Sequence, residues 1–89
     1  MNHPDPALLF VHAQQAAGVI AAKHRGDLVG AEALLAAFPD DPARVRGFCL
    51  LAELALSLVR AQTGQSMDDL VQELTLHMAT AVLKPPPGR

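Results

Sequence analysis

The chain has a single cysteine, Cys49, in 89 residues, so it cannot form an internal disulfide. It has no tryptophan or tyrosine, only three phenylalanines, and one isoleucine, Ile20. Strands favour Val, Ile, Thr and aromatic side chains, so this scarcity argues against a β-rich fold. There is no run of about 18 uncharged apolar residues to cross a bilayer. The nearest approach, residues 7–22, is interrupted by His12, Gln14 and Gln15. The opening residues carry Asp5, where a secretory signal would place basic residues ahead of an apolar run. A dominant charge is missing too: seven Lys and Arg against nine Asp and Glu leave a formal charge of −2. Nothing therefore steers the chain as a whole towards nucleic acid or an anionic membrane. These absences predict a cytoplasmic protein with no membrane contact.

What remains is aliphatic. Hydrophobic residues make up 51% of the chain and aromatics 3%, so the apolar mass is Ala and Leu, both strong helix formers. The bias to Ala, Leu, Arg and Gly, with two Lys and one Asn, is the composition of a GC-rich bacterial or phage-like genome. A chain of this size buries only about two thirds of its unfolded surface. Small domains offset that deficit with disulfides, metals or oligomerisation.

Apolar periodicity and end signals predict an all-α fold of four helices. The expected architecture is a compact four-helix bundle or stacked helical hairpins with the third helix central. Residues 1–5 read as an N-terminal tail, 6–83 as one helical domain and 84–89 as a proline-rich C-terminal tail. The first helix is expected from Asp5 or Pro6 to His24, with Leu9, Phe10, Ala13, Ala16, Ala17, Ile20 and Ala21 on its core face. Gly26 ends it and Asp27 caps the second, over 28–38, whose stripe is Leu28, Ala31, Leu34, Leu35 and Phe38. The third is expected over 42–63, capped by Asp41 and ended by Gly64. The fourth, over 67–83, opens with Ser66 and Asp69 in capping-box spacing. Its expected core face is Met67, Leu70, Val71, Leu74, Met78, Ala81 and Val82, with Leu76, Ala79 and Leu83 on the other side.

The third helix suggests association. Arg46, Glu53, Ser57 and Arg60 fall in one narrow polar stripe, and apolar residues cover most of the remaining circumference. Such a helix is expected to be buried on several sides. The other helices of one chain can hardly cover it. Some of Leu50, Leu54, Leu58 and Ala61, or of Val45, Ala52, Leu56 and Val59, should stay open, and Leu76 and Leu83 add an outward strip. The expectation is self-association, by default a two-fold homodimer, or an obligate protein partner; the alternative is a monomer whose bundle closes and leaves Leu76 and Leu83 as ordinary surface leucines.

Reactive chemistry is sparse. His3, His12, His24 and His77 include no pair at the three- or four-residue spacing that puts two metal ligands on one helix face. Cys49 is set mid-helix between Phe48 and Leu50, so a buried or half-buried, inert thiol is expected. No nucleophile, base and orienting group are spelled out together. The sequence therefore gives no catalytic, metal or cofactor residues. Arg25-Gly26-Asp27 spells an adhesion tripeptide, but each residue has a local task at a helix boundary. Residues 26–39, from Gly26-Asp27-Leu28-Val29-Gly30-Ala31 through Leu34, Phe38 and Pro39, resemble the turn and second helix of a tetratricopeptide repeat. Leu28 stands where that family has an aromatic residue, and no second repeat follows. The resemblance implies a helical hairpin of the kind that family uses to bind peptides.

The reading is a non-enzymatic helical interaction module: an adaptor, regulator or inhibitor that works by helix packing. Its candidate interface residues are Leu50, Leu54, Leu58, Leu76, Leu83, Arg46, Glu53 and Arg60. The alternatives are a nucleic-acid-associated regulator using Lys23, Arg25, Arg44 and Arg46, and a small enzyme or ligand-binding bundle.

Overall fold

A computed structural model describes residues 6–83; the two sequence-assigned tails, 1–5 and 84–89, lie outside the described residues. The described chain is all-helical: α1 (Pro6–His24), α2 (Leu28–Ala36), α3 (Asp41–Thr63) and α4 (Met67–Leu83). It divides into two compact units, the first ending at Leu54 and the second starting at Ala55, so the change of unit falls within α3.

In the first unit, α1 and α2 form a hairpin whose turn is fixed by backbone chemistry. Gly26 has φ +81°, a left-handed conformation that costs glycine no Cβ clash. Its N–H donates to the Lys23 carbonyl at 3.0 Å, and the Asp27 N–H donates to the Ala22 carbonyl at 2.9 Å. This pair of bonds is the Schellman helix ending. Asp27 then starts α2, its Oδ1 accepting the Gly30 N–H at 2.9 Å. Gly26 and Asp27 of the Arg-Gly-Asp tripeptide are thus used in the turn itself. The hairpin implied by the tetratricopeptide resemblance is present.

The face that α1 buries differs from the expected one. His12, Ala13, Ala16, Val19 and Ala22 are buried, whereas Phe10 and Ile20 are each 52% exposed and Ala17 and Ala21 are also exposed. The buried face is turned by about 100°, one residue's step on the helix. α1 is apolar around most of its girth, so periodicity alone does not fix its buried side; the residues packed against it do, and Ala13 and Ala16 are the two expected core residues that are buried. At the tightest point, a Cβ built on Gly47 of α3 would lie 2.7 Å from the His12 carbonyl oxygen of α1. Only a residue without a side chain fits there.

Two small clusters make up this core. Ala16, Phe38 and Ala43 form one, with Phe48 and Leu51 against it. Val19, Ala22 and Ala31 form the other, with Leu34, Leu35 and Phe48 against it. Phe48 joins the two. The Phe38 ring has the Phe48 ring centroid 6.1 Å away on one side and that of His12 also at 6.1 Å, both within the favourable range for ring pairs. Phe38 lies beyond the end of α2, which stops at Ala36 rather than at Phe38 as expected, yet its side chain is still buried. Leu28, placed in the α2 stripe by its spacing, is 63% exposed.

α3 begins one residue earlier than expected, and its cap is Asp40 rather than Asp41: Asp40 Oδ1 accepts the Ala43 N–H at 2.8 Å. Asp41 instead pairs with Arg44. Arg44 also donates to the Leu35 carbonyl at 3.3 Å, and its guanidinium carbon stands 6.0 Å from the Phe38 ring centroid. In the second unit, Gly64 closes α3 with φ +75°, its N–H donating to the Arg60 carbonyl at 2.8 Å. Ser66 caps α4, its Oγ accepting the Asp69 N–H at 3.1 Å.

Gly47→Ala should destabilise the chain by about 1–3 kcal/mol, because the added methyl meets backbone rather than a movable side chain. Alanine at an ordinary exposed helix glycine would be stabilising, so a chemical denaturation curve for G47A at or above the wild-type midpoint would contradict this packing.

Candidate interaction surface

The third helix is not buried on several sides within one chain. Its buried residues are Ala43 and Gly47, and Arg44, Phe48, Leu50, Leu51 and Leu56 are half-buried. α1, α2 and the turn around Phe38 cover the start of α3, and the cover gives out as the helix proceeds. Val45, Ala52, Leu54, Leu58, Val59 and Ala61 are exposed, Leu58 by 68%.

The fourth helix departs further from expectation. Leu70 is buried and Met67 half-buried, but every residue from Val71 to Leu83 is exposed. Val71, Leu74, Met78 and Val82, expected in the core, are 47%, 45%, 61% and 80% exposed. They recur at spacings of three and four, so they share one face of α4. Leu76 and Leu83, expected to point outward, are exposed, as is His77 between them. Leucines standing singly on a surface need no explanation. A continuous apolar helix face left in water does.

The sequence-derived candidates fall in both units: Arg46, Leu50, Glu53 and Leu54 in the first, Leu58, Arg60, Leu76 and Leu83 in the second. Arg46, Leu50 and Glu53 line an open groove of about 310 Å³ together with Leu9 and Cys49. Arg60 belongs to another depression, with Ser57, Ala61, Gly64 and Gln65, where its Nε donates to the Gln65 carbonyl at 3.4 Å. Leu76 lies beside Glu73, His77 and Thr80 in a third. Sequence reasoning missed Leu9 and Cys49 as neighbours of Leu50, and it missed the exposed α4 face, whose periodicity is that of a core face.

The remaining chemistry is modest. Of the basic set Lys23, Arg25, Arg44 and Arg46, Arg44 is engaged with Asp41, Leu35 and Phe38 inside the first unit, and the other three are exposed. His12 Nδ1 and Arg44 Nε are buried without a hydrogen-bond partner among the described residues, and both side chains flank Phe38 rather than a cavity. Among the described residues, no three or more His, Cys, Asp or Glu side chains are grouped to hold a metal ion. None of the described helices is long and apolar enough to cross a membrane. Comparison with known proteins finds no matching family model, curated protein or solved structure.

Cys49, expected to be buried or half-buried, is instead exposed and free. It should react readily with Ellman's reagent under native conditions at any protein concentration. Protection that grows with concentration would place the Leu9–Leu50 groove, rather than α4, against another molecule.

Proposed function

We propose that this chain is a non-enzymatic helical interaction module, working in the cytoplasm, that self-associates by burying the apolar face of α4. The observation that carries this reading is the exposure of α4 from Val71 to Leu83. A helix of this length is marginal in water by itself, and in proteins most helix stability comes from packing an apolar face. α4 has such a face, formed by Val71, Leu74, Met78 and Val82, and its own chain leaves it open. Leu54 and Leu58 on α3 extend the supply of exposed apolar surface.

The magnitudes are adequate. Full burial of an aliphatic side chain contributes about 1.5–3 kcal/mol. Eight such residues in a pair of chains give about 12–24 kcal/mol, before discounting what is already covered. Association itself costs about 4–15 kcal/mol. A dimer stable at micromolar concentration is within that balance, and a two-fold pair is the commonest solution for a single chain type. The dissimilar-partner version of this reading uses the same face. A cytoplasmic setting suits a chain whose one cysteine is exposed and unpaired.

Light scattering on the purified chain should give twice the 9.4 kDa chain mass. Leu74→Glu with Met78→Glu should return it to a monomer of reduced helicity, whereas Leu76→Glu with Leu83→Glu should leave the dimer intact. A wild-type chain that stays monomeric at high concentration with full helicity would remove the proposal. A dimer broken only by the second pair would move the interface to the opposite side of α4.

A further inference from the structure

We draw no further inference here: the strongest candidate, the open groove that Leu9 of α1 forms with Arg46, Cys49, Leu50 and Glu53 of α3, is a depression beside a lone cysteine, and nothing in the structure shows what covers it.

Discussion

A helix in water persists when something covers its apolar side, and the second half of this molecule is governed by that requirement. α4 is well started: Ser66 caps it, and Asp68 and Asp69 sit in its first turn, where the dipole favours negative charge. Leu70 is buried. From Val71 onward the helix has only exposed residues, apolar and polar alike. End effects stabilise the first turn and do not reach the last three. The proposed function is built on that exposed apolar face.

The first unit shows the contrasting solution. Its core is built from small residues, with Ala13, Ala16, Ala22, Ala31, Ala43 and Gly47 buried and Phe38 as the one aromatic among them. Small side chains let the backbones of α1 and α3 approach until nothing but glycine fits opposite the His12 carbonyl. Close approach compensates for the scarcity of large side chains, since packing density rather than residue size determines how many contacts each atom makes. The arrangement leaves Phe10, Ile20 and Leu28 with no place in the core.

The parts legible in the sequence were those set by local chemistry. Gly26, Asp27, Gly64 and Ser66 stop and start helices through their own backbone or capping groups, so the end of α1, the start of α2, the end of α3 and the start of α4 could be read directly. Asp40 and Asp41 could not be separated that way, because either carboxylate can cap, and only the three-dimensional turn gives Asp40 the Ala43 N–H. Faces were harder. On α1 the apolar residues run almost all the way round, and the choice of buried side depended on a contact with Gly47 far along the chain. On α4 the pattern marked an apolar face as core, yet that face is exposed beyond Leu70, because periodicity identifies an apolar face without saying what covers it. The excess of apolar surface on α3 was visible as a mismatch between its circumference and the helices available to cover it.

The most direct test of this account is amide hydrogen exchange in α4 as a function of protein concentration. If the apolar face is covered by a second molecule, amides from Val71 to Leu83 are protected at high concentration and lose protection on dilution, while those around Ala16 and Ala22 do not change. Protection of the α4 amides that is the same at every concentration would show that one chain sustains the helix alone. That result would contradict the claim on which the functional reading stands.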